Sequence, residues 1–98
     1  DSTTFILGHK AGADLEPGNF PNPFRETTEI VYAIRGECFV SLKVFDLSGR
    51  EVGTLVHETR RAGKHTATFD GKGLPGGAYY YRLKAGNLTY TKKMILVR

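Results

Sequence analysis

"TTEIVYAIRGECFVSLKVFDLSGREVGTLVH", residues 27–57, carries apolar side chains at Ile30, Tyr32 and Ile34, and again at Val40, Leu42 and Val44. Side chains two residues apart share one face of an extended chain, so each trio predicts a strand with one buried face. "DLSGR" at 46–50 reads as a turn, because serine-glycine supplies the positive φ that reverses a chain. "EVGTLVH" at 51–57 then predicts a third strand, kinked or bulged at Gly53.

The same reading extends downstream. "RRAGK" turns the chain, "HTATF" at 65–69 alternates small and polar residues, and "DGKGLPGG" at 70–77 is a turn-rich loop. "AYYYRLKA" at 78–85 places Tyr79, Tyr81 and Leu83 on one face and Tyr80 and Arg82 on the other. "GN" at 86–87 is a tight turn, and "LTYTKKMILVR" closes the chain as a long last strand. Six or seven short strands with turn signals every 8–12 residues predict an all-β fold, an antiparallel sandwich. No segment has a helical period.

Upstream, "FPNPF" at 20–24 fixes the backbone just before the first alternating run. Proline sets φ, removes a donor and holds its predecessor extended, so it is compatible with the start or edge of a strand. Pro21, Asn22 and Pro23 therefore read as a stiff, extended entry, with Phe20 or Phe24 plugging the open end of the sandwich. Residues 1–19 read differently. "TTFILG" predicts a short strand, and "HKAGADLEPGN" a linker without periodicity. The expected division is a tether over residues 1–19 and a β domain over 20–98.

The 98 residues suffice for one core, burying roughly 60–70% of the surface that the unfolded chain exposes. No apolar run approaches the roughly 20 residues of a membrane-spanning helix, and the first residues lack the basic start of a signal peptide. Cys38 is the only cysteine, which excludes an internal disulfide framework; it reads as a small packed residue. A net charge of +4 favours acidic partners. The basic residues are scattered, with doublets only at 60–61 and 92–93.

Chemistry-bearing patterns are sparse. His9, His57 and His65 have no second ligand at metal-binding spacing, so no metal site is expected. Ser2, Ser41 and Ser48 lie in a tail, a strand and a turn, without a nucleophile elbow. Asp46 and Asp70 each precede a turn, where aspartate caps backbone donors. "GKGLPGG" lacks the lysine-serine/threonine end of a phosphate loop. No catalytic residue and no cofactor are expected. Nucleic-acid binding is disfavoured because the basic–Gly–aromatic signature is missing. Tyr80 and Tyr90 are the candidates for a carbohydrate platform.

Five stretches in order, "FPNPF", "TTEIVYAI", "VSLKVFDLSGREVGTLV", "AGKHTATFDGKGLPGGAYYYRL" and "TKKMILVR", resemble the type A C-terminal sorting domain of type IX secretion substrates. Flagellar hook-capping proteins carry a related module. The resemblance runs from Phe20 to the end and implies a seven-stranded immunoglobulin-like sandwich, not an enzyme, at the C-terminus of a larger exported protein. It implies passage through the periplasm, recognition by outer-membrane translocon and shuttle proteins, and removal by a sortase-type cysteine peptidase. The cargo is then released or joined to anionic lipopolysaccharide at the cell surface. Residue by residue, the family's turn motif falls on Asp46, Gly49 and Arg50. Its strand motif falls on Gly77, Tyr79, Tyr81 and Leu83, and its terminal motif on Lys92, Lys93, Met94, Ile95, Leu96 and Val97. Arg25-Glu26 stands where many members have asparagine-proline.

The terminal stretch, Lys92 to Val97, is the expected recognition element. A chain-terminal edge strand offers unpaired backbone groups for strand addition, and lysines attract an acidic partner. The same edge can pair weakly with a second copy. The alternative is an accessory sandwich of an extracellular enzyme, a spacer or carbohydrate-binding module.

Overall fold

The computed structural model describes residues 13–98, so "TTFILG" and His9 lie outside the described residues. There are seven strands among those residues: β1 (Ala13–Phe20), β2 (Thr27–Ile34), β3 (Cys38–Asp46), β4 (Glu51–Arg60), β5 (Gly63–Asp70), β6 (Gly77–Ala85) and β7 (Leu88–Leu96). They form two antiparallel sheets, one ordered β1-β2-β5 and the other β4-β3-β6-β7. The sheets are the two layers of an immunoglobulin-like sandwich. At its two sides β1 lies against β7 and β4 against β5.

The alternating runs become the core as their period requires. Ile30, Tyr32 and Ile34 of β2 face Val40, Leu42 and Val44 of β3, Tyr79, Tyr81, Leu83 and Ala85 of β6, and Met94 and Leu96 of β7. Each buried Val, Leu, Ile or Met among them contributes roughly 1.5–3 kcal/mol by leaving water. Strand β4 departs from clean alternation and buries only Val56 fully. Its register to β3 slips on both sides of Gly53, past Leu55 and past Val52. At Gly53 the Phe69 ring lies 3.5 Å from where a Cβ would sit. The bulge expected at Gly53 is thus a pair of bulges flanking it, and the Phe69 ring of the other sheet packs at ordinary contact distance over the glycine.

Two expectations are corrected. Ala13–Asn19 is not linker: these residues belong to β1, which pairs with β2 from Ala13↔Ile34 to Phe20↔Glu29. The pairing slips twice, at Ala13/Leu15 and Leu15/Gly18, which breaks any period-two signature in the sequence. Pro17 sits in this edge strand, where a missing donor is tolerated. The "RRAGK" turn carries the chain from one sheet to the other, because β4 and β5 lie in different sheets. The proline segment is not an extended entry either. Both X-Pro bonds are cis, and residues 21–26 bend so that Phe24 returns to the end of β7, forming a short parallel bridge with Leu96.

Of the two candidate plugs, Phe24 is the one used. It is 1% exposed and meets Phe69 edge-on at 6.1 Å, whereas Phe20 is 79% exposed. The hydroxyl of buried Thr28 donates to the Pro21 carbonyl at 2.8 Å and accepts from Asn19 Nδ2 at 3.2 Å, which leaves no orphaned polar atom beneath the bend. Phe24→Ala should therefore cost about 3–5 kcal/mol in urea unfolding, while Phe20→Ala should stay within about 0.5 kcal/mol. Equal costs would mean that Phe24 is not the closing side chain.

Candidate functional site

The antiparallel registers place four pieces of chain at one pole of the sandwich: the β1–β2 bend, the β3–β4 turn, the β5–β6 loop and the end of β7. Nearly all the sequence motifs singled out above meet there.

The β3–β4 turn is organised by one carboxylate. Asp46 Oδ1 accepts from the Ser48 amide (2.9 Å), the Ser48 hydroxyl (2.6 Å) and the Arg50 amide (3.0 Å). Its Oδ2 accepts from Arg50 Nε at 3.3 Å. Gly49, at φ 89°, closes the turn by donating to the Asp46 carbonyl. The Ser48 hydroxyl above all, and then the Arg50 amide, stabilise the charged form and lower the Asp46 pKa to about 2. Ser48 is thereby a turn residue rather than a nucleophile.

The β5–β6 loop is tied on three sides. Asp70 Oδ1 accepts from the Lys72 amide, the Gly71 amide donates to the Glu26 carbonyl, and the Tyr79 hydroxyl donates to the Pro75 carbonyl. Gly71 has no room for a side chain: a Cβ would lie 3.1 Å from Leu96 Cδ2 and 3.3 Å from Phe24 Cε2. Arg98 reaches back across the pole, its guanidinium donating to the carbonyls of Leu74 and Gly71. Sequence reasoning missed Arg98, because its partners lie 24 and 27 residues away and no local pattern marks them.

Strand β7 is the outer strand of the four-stranded sheet, and its outer edge, flanked by β1 at the side of the sandwich, is divided. At its end the Phe24 amide donates to the Ile95 carbonyl (2.9 Å), the Val97 amide to the Phe24 carbonyl (2.8 Å) and the Ile95 amide to Asn22 Oδ1 (3.0 Å). These bonds fix which peptide groups point outward. By alternation the outward groups further back belong to Thr89, Thr91 and Lys93, and they have no backbone partner among the described residues.

The terminal motif therefore splits. Met94 and Leu96 are buried and belong to the core. Lys93 is exposed on the outer face of the sheet, and Ile95 and Val97 are half-buried. Lys92 stands on the core side, half-buried at the rim. Neighbours in a strand point to opposite faces, so the two lysines do not form one patch. Tyr79, Tyr81 and Leu83 are core, and Tyr90 packs against it. With Tyr80 half-buried as well, neither carbohydrate candidate is an exposed platform.

The remaining chemistry-bearing residues stay apart. Cys38 pairs in the ladder with Arg60, a basic neighbour that the sequence did not reveal. Burial raises the Tyr32 pKa, with the Arg60 guanidinium opposing it. His65 stacks on Tyr32 at 5.4 Å, and His57 meets Phe39 edge-on at 5.0 Å. No group of metal-ligating side chains comes together among the described residues.

The family model described as a secretion system C-terminal sorting domain matches residues 19–97. No curated protein and no solved structure matches the chain.

The Asp46 geometry makes a pH prediction. Its folded pKa lies below the ordinary 3.8, so its contribution is present above that value and lost as pH falls through about 2. Asp46→Asn should lower the melting temperature at neutral pH, and its deficit relative to wild type should shrink as pH drops from 4 to 2. A deficit independent of pH would show that the carboxylate charge does not hold the turn.

Proposed function

The chain belongs to the type IX family of secretion-system C-terminal sorting domains, and on that premise we propose that the translocon reads it by strand addition to β7. A sorting domain of this family marks an exported protein that leaves through the outer membrane, and the family's role is that of a signal rather than a catalyst. The observation that carries the finer reading is the half-open edge. The outward peptide groups of Thr89, Thr91 and Lys93 are unpaired among the described residues, and the edge is closed beyond them by Asn22 and Phe24. An incoming strand gains ladder bonds over this window, and the clasp fixes where it stops. Lys93, exposed beside the window, adds attraction for an acidic partner.

Processing fits the same arrangement. A peptidase of the sortase type needs an accessible, unpaired stretch. From Ala13 onward the chain is laddered to β2. The proposed cut therefore falls upstream of Ala13, within the tether read from the sequence. Mass spectrometry of processed cargo should find its new C-terminus at or before residue 12; an end inside β1–β7 would contradict this assignment.

Truncation is a poor test of the edge, because removing residues 92–98 also removes Met94 and Leu96 from the core. Thr91→Pro is better: the Thr91 amide faces the open edge, so proline removes an outward donor and spares the β6 ladder. Losing one such bond, worth about 1 kcal/mol, lowers affinity about fivefold. A reporter fused ahead of the Thr91→Pro chain should accumulate in the periplasm, while the Thr91→Ala fusion should leave the cell. Export of both to the same extent would refute strand addition at β7.

A further inference from the structure

Away from the pole, positive charge is concentrated on the outer face of the four-stranded sheet. By alternation with the core residues, β3 presents Phe39, Ser41, Lys43 and Phe45 there, β6 presents Tyr80, Arg82 and Lys84, and β7 presents Thr89, Thr91 and Lys93. Strands β6 and β7 contain no carboxylate, and that of β3, Asp46, is tied into its turn. The outer face of the other sheet is mixed, with Glu29 and Asp70 beside Lys64. The net charge is thus displayed asymmetrically.

The register sharpens the point. Lys43 lies directly opposite Arg82, and Ser41 opposite Lys84, the four lining one shallow depression. Like charges facing each other across a ladder destabilise a sheet. Glu51 of β4, on the same face, offsets part of this: it lies 3.6 Å from Lys43 and also feels the charge of Arg82. Lys84 and Lys93 make no ion pair among the described residues. Folding gains the Lys43–Glu51 pair and the Arg82 contact with Phe45 but nothing from Lys84 and Lys93, whereas an anionic surface laid across the face would neutralise those too.

The aromatic side chains decide what kind of anion. A sugar or a base would need an open ring face. The Arg82 guanidinium covers Phe45 at 4.5 Å from its centroid, Tyr80 is half-buried, and the one exposed ring among the described residues of this face, Phe39, stands at the start of β3 away from Lys43 and Arg82, with His57 edge-on to it. What is left is a flat array of charges about 10 Å across, the span of three neighbouring strands. We propose that this face, gripping through Lys43, Arg82, Lys84 and Lys93, docks an acidic protein surface of the export machinery. The proposal rests on the sorting reading and extends it: the face borders the open edge of β7, so a single partner that adds a strand there also covers these cations.

The test uses the full chain fused to an exported reporter. Arg82→Gln/Lys84→Gln should slow export about tenfold or more, the scale on which steering charges act, and should lower the melting temperature only by the loss of the Arg82 contact with Phe45. Lys84→Gln/Lys93→Gln, which leaves the contact with Phe45 intact, should slow export likewise if the first pair perturbs folding. Arg61→Gln/Lys64→Gln, the same loss of charge outside this face, should export as wild type. Three outcomes would overturn the proposal. One is normal export of both face variants while Thr91→Pro is blocked, which leaves the edge reading standing. Another is equal slowing by Arg61→Gln/Lys64→Gln, which reduces the effect to net charge. The third is normal export together with loss of binding of the chain itself to an anionic polysaccharide, which assigns the cations to that ligand.

Discussion

The return of Phe24 to the end of β7 is the contact on which the rest of the structure turns. Its ring closes the core between Phe69, Leu96 and the bare backbone of Gly71. Its main chain bonds to Ile95 and Val97. One residue thus joins the bend after the first strand to the last strand and satisfies edge groups that would otherwise stay open. Gly71 follows from it, since the two side chains approach too closely for a Cβ there.

That contact also divides the molecule functionally. A sandwich always has edges, and an unpaired edge invites other strands. Here the clasp covers the terminal part of β7 and leaves the part at Thr89–Lys93, so the exposed ladder is short and its end is defined. In the proposed strand addition such a window would discriminate better than a long bare edge, because a strand docked out of register meets Asn22 and Phe24. The cations of the adjoining face lie beside the window and act over a longer range than hydrogen bonds. In the proposed division of labour, charge brings the partner and backbone pairing fixes it.

The family's turn and loop words each have a part in the fold. Asp46, Ser48, Gly49 and Arg50 form one hydrogen-bonded turn. Tyr79 is held by the Pro75 carbonyl, and Gly77 adopts a φ of 145°. Tyr81, Leu83, Met94 and Leu96 are core. A motif at the end of such a chain is therefore a composite: alternate positions build the sandwich, and those between them are available to a partner.

The local pattern alone determined the all-β class, the core trios of β2, β3 and β6, the Asp46 turn and the long last strand. Each of these depends on period-two burial or on turn geometry, which a few neighbouring residues set. Strand β1 was illegible because its slipped register leaves no alternation; it is a strand only by pairing with β2. The choice of Phe24 over Phe20, the reach of Arg98, the meeting of Cys38 with Arg60 and the opposition of Lys43 and Arg82 were equally hidden. The same holds for the separation of Lys92 from Lys93 into rim and surface, since a doublet shows its faces only once the strand is oriented. All of these are decided by which strand lies beside which, a choice made by burial and backbone pairing between residues far apart in the chain.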